Sequence, residues 1–212
     1  MKRFILPLMI LLFVGSLLAV ESAPSEVVGY VKYDLVAGNN TIALAMDEPY
    51  AFASEVGDAI AATAVGQFNA TTQEWELILA FPWGGWDSDF AVSNGKALWI
   101  TVDDATSFYS IGDLPATDPS YSLVAGNNMI MVPLSQSALD YASLVGDEIG
   151  ATTVGQFNTS TQEWELILAF PWGGWDSDFP TTIGSPLWIT TDNDGTWPSR
   201  SGSTFRPRSV NK

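Results

Sequence analysis

The sequence predicts an α+β protein made of two tandem homologous modules, each β-rich, roughly 85–90 residues long and carrying one short helix. Three observations carry this. The stretch from Thr72 to Phe90 returns from Thr161 to Phe179 without a change. Around it, Leu35–Asn40 returns as Leu123–Asn128, Val65–Asn69 as Val154–Asn158, and Leu98–Thr101 as Leu187–Thr190. Most segments between these blocks alternate apolar and polar residues, and one segment per copy has apolar residues three and four apart. The period is too long for a solenoid repeat and suits a domain that buries its own core. The expected boundaries are residues 28–114 and 120–200.

In chain order, Gly29–Leu35 alternates as a strand, and Ala37–Asn40 reads as a turn. Thr41–Met46 alternates again with Ile42, Leu44 and Met46 on one face, matched by Ile130, Val132 and Leu134 in the second copy. A helix follows. In copy two Ser137 can cap it, with Leu139, Ala142, Val145 and Ile149 on one side, and copy one offers Ala53, Val56 and Ile60. Gly57 and Gly146 lie inside the pattern, where a helix packing close to a strand would need them. Val65–Asn69 and Gln73–Phe81 form a hairpin. On its return strand Trp75, Leu77, Leu79 and Phe81 share one face and Glu74, Glu76, Ile78 and Ala80 the other. Pro82-Trp83-Gly84-Gly85-Trp86 ends the strand. Lys96–Val102 completes ββαβββ, Ser107–Ile111 reads as an extra last strand, and Leu114–Ser120 is a short, stiff linker.

The ends differ in character. Met1-Lys2-Arg3 followed by the apolar run Phe4–Val20 and the small-residue site at Ala19–Ala23 reads as a secretory signal peptide over residues 1–22. The competing reading is an N-terminal membrane anchor. Residues 201–212 are Ser- and Arg-rich without apolar period and read as a disordered tail. Localisation is therefore expected to be secreted, extracellular or at the cell surface, with the periplasm also open. The sequence has no Cys, so stability must come from burial, for which 47% hydrophobic residues provide.

The formal net charge is −16, and Lys96 is the lone cation between Tyr33 and Ser199. Such a surface repels phosphate backbones and anionic lipid, which argues against nucleic-acid partners and against membrane binding by the mature form. With neither His nor Cys, Ser–His and Cys–His triads and His- or Cys-ligated metal sites are excluded. No phosphate-binding glycine loop occurs. Paired carboxylates remain, and Glu74/Glu76 and Glu163/Glu165 are spaced for glycoside hydrolysis, but both pairs sit on the polar face of a strand. The expectation is a non-enzymatic protein with no catalytic residue, no cofactor and no resident metal.

The sharpest candidates are the repeated loops. Trp83 and Trp86, with Trp172 and Trp175, flank paired glycines, and Asp87, Asp89, Asp176 and Asp178 follow at once. Exposed indoles on a rigid loop stack on sugar rings while carboxylates bond hydroxyls, and two copies add avidity. The competing reading folds these tryptophans into the core, as expected for Trp75, Trp99, Trp164 and Trp188. The Asp-Ser-Asp loops and the second acidic clusters, Asp103-Asp104 and Asp192–Gly195, suggest calcium at most, since no twelve-residue calcium loop is present.

The wording LVAGNN-x-I-x-x-x-L, a short helix, VGQFN-x-x-TQEW and G-x-x-LWIT resembles a tandem module of secreted, surface-associated bacterial proteins. The resemblance spans Tyr33–Pro198, with a departure at Ala45, where the second copy has the customary Pro133. It implies export and a modular role and carries over no site residue. The function expected is binding or adhesion, to an extracellular polysaccharide or a surface protein. The alternative is a structural, self-assembling surface component. The sequence does not specify an oligomeric state.

Overall fold

The computed structural model describes residues 28–198; the expected signal peptide and tail lie outside them. The described residues are β-rich, with two four-stranded sheets and two short helices among them. In the first half, β1 (Val28–Leu35) pairs with β6 (Thr106–Asp113) as a two-stranded ribbon. The four-stranded sheet has the order β2-β5-β3-β4, with β2 Gly38–Ala43, β3 Ala64–Asn69, β4 Glu74–Leu79 and β5 Ala97–Val102. Helix α1 (Ala53–Ile60) lies between β2 and β3. The second half runs β7 (Tyr121–Leu123), β8 (Gly126–Met131), α2 (Ala142–Ile149), β9 (Ala151–Asn158), β10 (Glu163–Leu168), β11 (Pro186–Thr191) and β12 (Gly195–Trp197). Its sheet has the corresponding order β8-β11-β9-β10, its ribbon is β7-β12, and every pairing in both halves is antiparallel.

Two elements begin elsewhere than the sequence predicts. Gly38–Asn40 belong to β2 rather than to a turn, because buried Asn40 ties the preceding loop down. Its Oδ1 accepts from Val36 N at 2.9 Å while its Nδ2 donates to Val36 O and Gly38 O. Helix α2 begins at Ala142 after extended Tyr141, not at Ser137. Its first turn is held from a distant loop: Ser143 N donates to Asp178 Oδ1 at 3.0 Å, and Ser54 N to Asp89 Oδ1 at 3.1 Å in α1. A remote carboxylate replaces the local cap, so sequence spacing alone misplaces the start.

The core of the first half forms between one sheet face and the helix plus ribbon. Ile42, Val65, Ile78, Leu98 and Ile100 meet Val56 and Ile60 of α1 and Phe108 of β6. Ile130, Val154, Ile167, Leu187 and Ile189 with Val145 and Trp197 form the second core. Each fully buried aliphatic side chain stabilises by about 1.5–3 kcal/mol. On β4 the residue turned into this core is Ile78, 2% exposed, from the face that also carries Glu74 and Glu76. The more apolar face, with Trp75, Leu77 and Leu79, points away from the helix.

That outer face packs against its counterpart in the other half. Phe68 lies 4.6 Å from Trp188 and Phe157 lies 4.7 Å from Trp99, ring centre to ring centre. Trp75 stacks on Trp188 at 6.2 Å and Trp164 on Trp99 at 6.3 Å. The four tryptophans expected in the cores therefore form a seam between the sheets. Polar clasps repeat the same reciprocity. Gln162 exchanges two hydrogen bonds with the backbone of Asn39, and Gln73 exchanges two with Asn127, all at 2.8–2.9 Å. Both glutamines sit in the left-handed region at φ 59°, a strained backbone that turns their amides toward the edge strands β2 and β8. Gly38 allows the approach, since a Cβ there would lie 2.8 Å from Gln162 Oε1. Tyr33 donates to Gly184 O at 2.8 Å, and Tyr121 to Gly95 O at 2.9 Å. Among the described residues no helix is long and apolar enough to cross a membrane.

One carboxylate is caught in the packing. Ser110 of β6 donates to Glu48 Oε1, while Glu48 Oε2 is buried without a partner. Burial pushes the Glu48 carboxyl up to about 7, against the hydrogen bond from Ser110, which lowers it. The folded state thus binds this proton more tightly than the unfolded chain. The stability gained by the neutral form is present at low pH and is lost as pH rises from about 4.5 through about 7. Glu48→Gln is expected to match the parent near pH 4.5 and to exceed it at pH 8 by on the order of 1–2 kcal/mol. Urea denaturation at both pH values checks this; an equal difference at the two would contradict it.

Candidate functional site

The hairpin strands β4 and β10 run directly into the repeated loops. Each loop closes on itself: Phe81 N donates to Gly85 O at 2.8 Å and Gly84 N to Phe81 O at 2.9 Å, with the same bonds among Phe170, Gly173 and Gly174. Gly84 and Gly85 have φ of 96° and 84°, and a Cβ at either would meet open space. The glycines serve backbone conformation, not close packing.

The two tryptophans of each loop part company. Trp83 is 81% exposed and Trp172 is 82% exposed. Each lies nearly parallel to the phenylalanine two residues earlier: Phe81–Trp83 at 5.1 Å and 8°, Phe170–Trp172 at 5.1 Å and 9°. The stack holds each indole with one face against the phenyl ring. Trp86 and Trp175 instead turn inward and are half-buried. Their indole N–H groups donate to Asp58 Oδ1 at 3.0 Å and Asp147 Oδ1 at 3.1 Å. Their rings lie against Gly57 and Gly146, where a Cβ would come within 2.3 Å of the indole. The helix glycines noted in the sequence are there for this contact.

All four loop aspartates have structural partners. Asp87 Oδ1 accepts from Leu79 N at 2.8 Å, Asp87 N donates to Leu79 O at 3.0 Å, and Asp176 does the same with Leu168. These bonds hold both carboxyls below the usual carboxylate range. They also occupy the outward-facing N–H and C=O of Leu79 and Leu168 at the ends of the edge strands β4 and β10, which shortens the edge open to further strand pairing. Asp89 and Asp178 brace the helix starts through Ser54 and Ser143. Among the described residues no group of three or more metal-ligating side chains assembles, so the calcium expectation finds no cluster to rest on. Glu76 accepts from Asn69 and Gln67, which hold it below its usual range, the reverse of what a proton-donating acid requires.

Sequence reasoning did not anticipate the apolar approach to each loop. Leu77 and Leu79 are 51% and 50% exposed, and Leu166 and Leu168 correspond. Leu77 lies down over Gly66, where a Cβ would be 2.4 Å from its Cδ2. The row Leu77, Leu79, Phe81, Trp83 thus forms an exposed apolar stripe leading from the seam to the loop tip. An apolar crevice of about 260 Å3 lined by Trp75, Trp164, Leu166 and Trp188 lies where this face meets the other half. The signal was the alternation itself, which placed these residues on one face without saying what covers it.

Comparison with family profiles, curated proteins and solved structures finds no match.

Gly57→Ala in a helix interior would ordinarily stabilise by about 0.5–1 kcal/mol. Here it is expected to destabilise, by about 1–3 kcal/mol through overpacking against Trp86. Thermal denaturation with tryptophan emission decides the sign, and a raised midpoint would refute the Trp86–Gly57 contact.

Proposed function

We propose that this chain is an exported, non-enzymatic binding or adhesion protein, a tandem duplication of one small α+β module, which holds an uncharged extracellular polysaccharide by stacking sugar rings on Trp83 and Trp172. The observation that carries this reading is the pair of exposed indoles, each backed in parallel by a phenyl ring on a loop closed by its own backbone bonds. An indole already braced loses little freedom when a ligand stacks on its outer face. Trp86, Trp175 and the four aspartates support the loop instead of meeting the ligand. The net charge of −16 favours a neutral or basic polymer over an acidic one.

A second reading, a self-assembling surface component, draws on the exposed leucines of β4 and β10, which continue the face already packed in the seam. Two obstacles weigh against it. The bonds at Leu79 and Leu168 shorten the open strand edges, and like charge opposes close approach of copies.

Pull-down on insoluble cellulose, chitin and xylan, with affinity electrophoresis on soluble glucans, tests the proposal. Trp83→Ala plus Trp172→Ala is expected to keep the parent's stability within about 0.5 kcal/mol, because both side chains are exposed. Binding should fall at least tenfold, about 1.4 kcal/mol, with each single variant intermediate. Retention unchanged in the double variant, or none by the parent, would overturn the polysaccharide reading. A concentration-dependent oligomer lost in Leu77→Asn plus Leu166→Asn would favour self-assembly.

A further inference from the structure

The contacts that close the seam come in equivalent pairs. Phe68 meets Trp188 as Phe157 meets Trp99, and Gln162 clasps Asn39 as Gln73 clasps Asn127. Tyr33 donates to Gly184 O as Tyr121 donates to Gly95 O. Aligning the two copies makes each of these residues the counterpart of one across the seam, with the same residue type in both halves. Contacts matched in this way are those of an isologous interface, in which one patch serves both sides. They do not distinguish a half of the same chain from a half of another copy.

The match fails where β2 and β8 end, at Ala43 and Met131, and just beyond, at Ala45 and Pro133. Ala43, Ala45 and Met131 have no exposed surface and pack together as a small cluster between the halves. The long side chain of the second half thus fills the space left by two alanines of the first. Two first halves would leave a cavity at this place, and two second halves would set Met131 against Met131 and Pro133. The size match selects a first half for every second half. The joint between them, Leu114–Ser120, starts in solvent, with Leu114, Ala116 and Thr117 exposed. Farther along, Pro119 lies against Gly95 as Val31 lies against Gly184, so this contact also has its counterpart.

We infer that the seam is an interface for a second copy of this chain: two chains exchange halves into a closed dimer in which each first half meets the other chain's second half. The seam contacts are re-formed in the dimer, so exchange alters which chain supplies each side and not what meets there. Concentration sets the balance. A short linker holds the two halves at an effective concentration on the order of mM, and the dimer gains as the protein approaches that value. After the first cross-chain seam forms, the two remaining halves are held together in the same way, which closes the assembly at two chains. Charge acts against exchange: each chain carries a net charge of −16, and the repulsion between copies is screened by salt. Met131 fixes the pairing inside the dimer, because like halves fit poorly. The surface used is the covered tryptophan face and not the exposed leucines of β4 and β10, so this association is distinct from the self-assembly considered above.

Native mass spectrometry tests this on the full chain refolded from urea at about 0.02 mM and about 2 mM, either side of the linker's effective concentration. The dimer is expected to be the major species at the higher value and roughly a tenth or less at the lower. Its share should rise with sodium chloride and stay unchanged in Leu77→Asn plus Leu166→Asn. Folded chain concentrated to the same value without unfolding should remain monomeric over the same time, because exchange requires the seam to open. Ala43→Met sets Met against Met131 and is expected to lower the thermal midpoint and the dimer share together. The reversed pair, Ala43→Met plus Met131→Ala, restores the size match and should recover both; it serves on its own if Ala43→Met does not fold. A monomer at both concentrations would overturn the inference, as would a dimer that forms at once from folded chain or is lost with the leucines. A reversed pair no better than Ala43→Met, or unable to fold, would remove Met131 as the residue that fixes the pairing.

Discussion

Each four-stranded sheet in this protein has two apolar faces and a single helix to cover them. Helix and ribbon cover the face bearing Ile42, Ile78 and Ile100. The face bearing Phe68, Trp75 and Trp99 is met, among the described residues, by Phe157, Trp164 and Trp188 of the other half. The pairing is reciprocal, residue for residue, as in a two-fold interface built inside one chain. Aromatic rings suit this seam because each brings a large buried area with few rotatable bonds. The glutamine clasps close its margins by satisfying edge-strand backbone that would otherwise be open.

The seam covers part of that face and stops. Beyond Trp75 the strand continues with Leu77 and Leu79 half in solvent and ends in a loop whose first tryptophan stands outside it. Within the loop, Trp86 anchors against Gly57, Asp87 ties back to Leu79 at the strand's end, and Asp89 reaches across to the helix start. So many inward attachments leave Trp83 as the member with an open aromatic face. Repetition of the arrangement in the second half makes the proposed binding bivalent.

The main strands and the Trp83 and Trp172 loops were legible in the sequence because alternation and glycine placement are local properties, although Gly38–Asn40, read as a turn, belong to β2. Orientation was not. Alternation put Trp75, Leu77 and Leu79 on one face, but which face meets the helix depends on layers contributed from elsewhere, and the less apolar face with Ile78 won. The start of α2 was misplaced because its cap, Asp178, is remote in sequence. Trp83 and Trp86 were alike in the sequence; only the contact of Trp86 with a helix glycine separates them.

Both the seam and the open loops depend on which tryptophans face solvent, and fluorine NMR of the 5-fluorotryptophan-labelled protein measures this directly. The chain has 9 tryptophans, hence nine resonances to assign by substitution. A soluble gadolinium chelate is expected to broaden Trp83 and Trp172 first and strongly, while Trp75, Trp99, Trp164 and Trp188 of the seam stay sharper and Trp197 stays sharpest. Protection of Trp83 and Trp172, or broadening of the seam tryptophans to the same degree, would contradict both the closed seam and the open loops that follow from it.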